Sequence, residues 1–166
     1  MNLASDARSI AVVGIGNSLL TDDGAGIHTL ERFADNNADE NVQCLDGGTV
    51  GLALLDRLGG LDGLVALDAM ILGKPPGSVT VLVGEDMDAH LRNQRGSVHE
   101  VGLSDLMDAL RLRGELPPHR ALIGIEPAAI DWGTEPTDSV AAAVPKAATA
   151  AQQLVREWRA VSPPEA

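Results

Sequence analysis

Gly14-Ile15-Gly16-Asn17-Ser18-Leu19-Leu20-Thr21-Asp22-Asp23-Gly24-Ala25-Gly26 follows an apolar run, Ile10 to Val13, and leads into Ile27, Leu30, Phe33 and Ala34 at helical spacing. It therefore reads as the turn between a first strand and a first helix. Glycine-rich turns in that position often cradle phosphates, because backbone N–H groups converge on an anion. This one carries two adjacent carboxylates, which repel phosphate and attract cations. The third glycine of a dinucleotide fingerprint is also missing, with Leu19 in its place.

Outward from that turn, strand and helix signals alternate. Residues 9–14, 42–45, 64–68, 79–83 and 121–125 read as strands. Helices are expected near 27–34, over 50–58 and around Leu103, Leu106, Met107 and Leu110, the last of these starting at Ser97 or Ser104. A further helix carries Val140, Val144, Ala147, Ala151, Leu154 and Trp158, with Pro145 expected to bend it. Such alternation predicts an α/β three-layer sandwich: a twisted, mostly parallel, mixed sheet of five strands with helices on both faces. The strand after Pro75-Pro76-Gly77 follows its predecessor too closely for a helical crossover, so that pair is expected to be antiparallel. The 166 residues suit a single domain spanning 1–166, with 1–8 and 162–166 expected to fray.

Composition narrows the function classes. A net charge of −12 disfavours nucleic acid and anionic membranes as partners. No apolar stretch approaches the ~20 residues of a membrane span, and Met1 to Arg8 lacks a signal-peptide core. A single cysteine, Cys44, excludes an internal disulfide and agrees with a reducing cytoplasm; half-buried in a strand, it reads as a packing residue rather than a nucleophile.

In open α/β sheets, sites collect beyond the carboxyl ends of the strands. Asp22 and Asp23 follow the first strand, Asp46 the second, and Asp68 ends the third after four apolar residues. The loop after the fourth brings Ser97-Val98-His99-Glu100. Two carboxylates and an imidazole from distant parts of the chain could thus make a three-ligand metal site with an open position. Simpler readings stand beside this one. Asp22 reads equally as a helix-start cap, Asp46 as a turn cap, and His99 alone as a surface histidine. His28 and Glu31 read as a solvated pair, and His90 and His119 as loop residues. No Gly-x-Ser-x-Gly elbow and no phosphate-loop Gly-Lys-Ser/Thr occurs.

Six motifs in one order, Gly14 to Gly26, Asp46-Gly47-Gly48-Thr49, Asp68-Ala69, Pro76-Gly77, Ser97-x-His99 and Gly124-Ile125-Glu126-Pro127, resemble the hydrogenase maturation endopeptidases over about residues 9–145. The resemblance implies cleavage of a short C-terminal extension from the large-subunit precursor of a nickel-iron hydrogenase whose nickel is already inserted. It implies that Asp23, Asp68 and His99 are the metal-binding and catalytic residues, Asp23 standing where some relatives have glutamate. The metal would be nickel brought by the substrate, with other divalent ions able to substitute. The turn Asp46, Gly47, Gly48 and Thr49 would contact substrate or support the ligands. A non-catalytic nickel chaperone using the same side chains is the alternative, and a nucleotide-binding oxidoreductase a third reading.

Overall fold

A computed structural model describes residues 8–49, 52–93 and 98–161. Five strands, β1 (Ile10–Ile15), β2 (Val42–Gly48), β3 (Gly63–Ala69), β4 (Val79–Val83) and β5 (His119–Ile125), form one sheet in the order β2-β1-β3-β5-β4. All pairs are parallel except β4 with β5. The helices are α1 (Ala25–Asp35), α2 (Leu55–Leu58), α3 (Glu85–Asn93), α4 (Val98–Leu112) and α5 (Asp138–Ala160). Among the described residues no helix is long and apolar enough to cross a membrane.

The period-two alternation of strand side chains sorts the interior into two layers. Ile10, Val12, Val65, Leu67, Ala121 and Ile123 face α1 and α5, where Phe33, Ala147, Ala151 and Trp158 fill the space. Ala11, Val13, Leu64, Ala66 and Leu122 face the other way, onto Leu58, Met87, Leu91, Leu106 and Leu110. Runs such as Leu64-Val65-Ala66-Leu67 lack polar alternation because both faces of the sheet are covered.

The mixed five-stranded sandwich agrees with the sequence reading, but one pairing differs. β4 does not lie beside β3; β5 inserts between them, and β4 runs antiparallel to β5 at the sheet edge. The short connection still reverses the chain, but it crosses over the place that β5 fills. α3 is an unexpected helix, and it takes His90 out of a loop. His119 likewise begins β5 and stacks on Trp158 with ring centroids 5.6 Å apart. β2 continues through Asp46-Gly47-Gly48, which is therefore strand rather than a closing turn. α5 runs as one element through Pro145. Residues 1–7, 50–51, 94–97 and 162–166, including the expected cap Ser97 and most of the terminal segments, lie outside the described residues.

The connection after β1 runs through α1 on one face, while β3 is followed by Met70, which packs into the other layer, and then by β4, α3 and α4. Loops leaving adjacent strands for opposite faces open a crevice between them, at the carboxyl edge of β1 and β3.

Candidate functional site

Both glycines flanking the acidic pair serve the chain's own packing. A Cβ at Gly26 would overlap the carbonyl oxygens of Leu67 and Ile15, and one at Gly16 the carbonyl oxygen of Asp23. The N-terminus of α1 is thereby seated directly on the ends of β1 and β3. The turn carries two carboxylates where a pyrophosphate would need amide donors, which leaves the nucleotide reading without support.

Between those glycines, Thr21–Gly24 forms a 3-10 turn, in which adjacent side chains diverge by about 120°. The two aspartates consequently part company. Asp22 is fully buried and caps no helix of its own. Its Oδ2 accepts hydrogen bonds from the Ala128 and Ala129 amides (2.8 and 3.1 Å) and the Thr137 hydroxyl (2.8 Å), and its Oδ1 accepts one from the Thr137 amide (2.7 Å). Burial pushes this carboxyl up, but the hydrogen bonds together outweigh it and hold the group below its ordinary value. Asp22 is thus a clamp on the β5–α5 loop, a role without a local signal, because its partners lie more than 100 residues away in the chain.

Asp23 faces the crevice. Its Oδ2 accepts the Asn17 amide at 3.0 Å and lies 3.5 Å from Nε2 of His99. Asp68 is 3% exposed at the end of β3; its Oδ1 accepts the Ala69 amide at 2.8 Å and lies 3.5 Å from Nδ1 of His99. His99, in the first turn of α4, is therefore held between two carboxylates that arrive from different strands. The helix begins at Val98, which agrees with the earlier of its two expected starts. Burial pushes the Asp68 carboxyl up to about 6, helped by the Asp23 charge and opposed by His99 and the Ala69 amide.

Two kinds of chemistry suit this trio. A carboxyl titrating near neutrality beside an imidazole can move a proton. Two carboxylates and an imidazole can also hold a divalent cation. In the arrangement described, however, each ring nitrogen addresses a different carboxylate, and among the described residues no group of three such side chains is preset around one ion.

The remaining expected residues fall into structural positions. Asp46 is exposed, and its Oδ1 accepts the Gly48 amide at 2.8 Å, the turn-capping role. Gly47 is skipped in the pairing of β1 with β2, and Gly48, at φ 52°, accepts the Gly16 amide at 2.7 Å through its carbonyl. Thr49 is exposed beyond them. His28 faces Glu31 at 3.8 Å. Cys44 packs half-buried against the α1–α5 layer, and burial pushes its thiol up, away from the reactive thiolate. Glu126, 6% exposed, accepts the Leu72 and Gly73 amides at 2.8 and 3.1 Å, so its motif fastens the loop after β3.

Known proteins resemble this chain in sequence and in fold. The family model of the hydrogenase maturation proteases matches residues 27–154. The chain is 34% identical to the hydrogenase 2 maturation protease of Escherichia coli over 150 residues, 89% of this chain and 91% of that protein. It is also 34% identical to the hydrogenase expression/formation protein HupD of Rhodobacter capsulatus, across 90% of this chain and 72% of that one. The structure of the hydrogenase maturating endopeptidase HybD from E. coli superposes with a TM-score of 0.83 at 33% identity, covering 89% of this chain and 92% of that chain. Relatives named as peptide-cutting enzymes leave the chaperone alternative without support. With matches of this extent in sequence and in fold, the chain belongs to the hydrogenase maturation proteases.

Proposed function

We propose that this endopeptidase removes the C-terminal extension of a nickel-iron hydrogenase large-subunit precursor, and that Asp23, Asp68 and His99 hold the nickel that the precursor brings. The observation that carries the reading is His99 lying 3.5 Å from each of two carboxylates at the crevice between β1 and β3. Imidazole suits nickel, and two carboxylates add charge without the grip of a four-ligand cage. A cation shared by all three requires the ring to leave the gap between the carboxylates. Meanwhile the imidazole spaces two like charges that would otherwise repel across the crevice.

A site closed by its own histidine favours metal that arrives attached to substrate over metal kept in store. The metal would then report that the precursor is ready and bring the scissile bond to the crevice. When bound, nickel would supply polarisation of the carbonyl or activation of a water. Asp23 and Asp68 contribute orientation, each already fixed by a backbone amide, from Asn17 and Ala69. The segment Asp46 to Thr49 lies along the same edge and is joined to the loop after β1 through Gly48 and Gly16, which supports a role in contacting substrate or steadying the ligands. Cytoplasmic action belongs to the same proposal, supported by the lone thiol of Cys44.

The test mixes the purified protein with nickel-loaded and nickel-free precursor and follows release of the C-terminal fragment by mass spectrometry. Only the loaded precursor should be cut; equal cleavage of both overturns nickel gating.

A further inference from the structure

Trp132 is 85% exposed, in a chain whose only other tryptophan, Trp158, is 6% exposed. A large aromatic in water is ordinary on a loose loop, but this one is carried by backbone tied down on both sides. Thr21 donates its amide to the Gly133 carbonyl at 2.8 Å, and the Gly133 amide returns a bond to the Leu19 carbonyl at 2.9 Å. The Thr21 hydroxyl donates to the Ala129 carbonyl at 2.9 Å and accepts the Asp131 amide at 3.0 Å. Asp22 adds its bonds to Ala128, Ala129 and Thr137. Thr21 itself sits at φ 44°, a left-handed conformation that costs a β-branched residue about 1–3 kcal/mol and persists only where its surroundings impose it. The turn that presents Asp23 to the crevice therefore also holds Trp132 at its lip.

Three more exposed apolar side chains belong to these fastened loops: Leu19, Ile130 and Ile71, which precedes the Leu72 and Gly73 amides bound by Glu126. Exposed acidic groups, Asp131 and Glu135, stand to either side of Trp132 in the chain. An aromatic anchor on preordered backbone, with apolar neighbours and an acidic surround, is the composition of a protein-binding hot spot.

We propose that Trp132 is a positioning residue for the substrate, inserting into an apolar recess with a basic rim on the folded body of the precursor, outside the segment that is cut. This rests on the proposed reading of the precursor as substrate. The occupant follows from continuity and charge: a protein whose scissile bond reaches Asp68 must cover the same rim, and the net charge of −12 favours a basic counterpart. Because the side chain touches no reacting atom, its loss acts on capture rather than on bond cleavage.

The experiment compares wild type, Trp132→Ala and Trp132→Phe on nickel-loaded precursor. For Trp132→Ala, KM should rise about 30-fold, the loss that truncating an aromatic anchor commonly brings, with kcat within about twofold; the phenylalanine variant should recover most of it. A rise in KM below about threefold, or an equal fall in kcat, overturns the assignment. Independently, in the Trp158→Phe protein the remaining fluorescence is that of Trp132; its emission should move to the blue and resist acrylamide quenching when precursor is added. An unchanged spectrum at saturating precursor also overturns it. If wild type cuts no precursor at all, the substrate reading fails instead, so the two failures are distinct.

Discussion

Replacing Asp68 by asparagine should strengthen the fold while it disables the enzyme. The Asp68 carboxyl is 3% exposed and is pushed to about 6 from an ordinary value of 3.8, so the folded chain resists its ionisation. A group whose folded pKa lies above its unfolded one lowers stability wherever it is charged, and that cost fades as falling pH protonates it. At 1.36 kcal/mol per unit, the roughly two-unit rise amounts to about 3 kcal/mol at pH 7.5, about 2 kcal/mol at pH 5 and under about 1 kcal/mol at pH 4. Asparagine keeps the shape and can still accept the Ala69 amide, but it carries no charge to bury. Urea unfolding in the presence of a chelator should therefore show Asp68→Asn more stable by up to about 3 kcal/mol at pH 7.5. With a slope of about 2 kcal/mol per molar, that is a midpoint higher by about 1.5 M. The advantage should shrink steadily toward pH 4. Precursor processing by the same variant should fall about 100-fold or more if, as proposed, this carboxylate holds the nickel of the substrate. A variant less stable than wild type at pH 7.5, or a difference that does not change with pH, would refute the claim that Asp68 is held in the site against its electrostatic preference.

Asp22 should behave with the opposite sign. Its folded pKa is depressed, so its contribution is present above the unfolded value and is lost as pH falls through the folded one. Asp22→Asn, which turns an amide donor toward the donors of residues 128–137, should cost about 3 kcal/mol at neutral pH, roughly 6–12 °C in Tm, and should flatten the acid limb of thermal scans; an unchanged acid limb would contradict the clamp. Gly26→Ala should destabilise by about 3 kcal/mol or more in urea titration, because its methyl meets the Leu67 and Ile15 carbonyl oxygens. A gain of about 1 kcal/mol, as helix propensity alone predicts, would show that the backbones can separate.

The layered α/β architecture was legible in the amino-acid sequence, and so was the sheet edge on which Asp23, Asp68 and His99 meet. Both follow from local pattern: unbroken apolar runs mark strands covered on two faces, and a carboxylate directly after such a run must stand at a strand end. Asp23, Asp68 and His99 were legible as a group for that reason and through the order of their motifs. Tertiary structure settled what Asp22 does, because the amides and the hydroxyl it holds lie more than 100 residues away in the chain. It also decided that β5 separates β3 from β4, since the apolar pattern of an edge strand is compatible with either neighbour. α3 stayed hidden because its buried face is chiefly Met87 and Leu91, one helical repeat within an otherwise charged segment. The orientation of the His99 ring, shared between two acids, depends on the distance between elements far apart in the chain, a quantity set only when both helix layers close on the sheet.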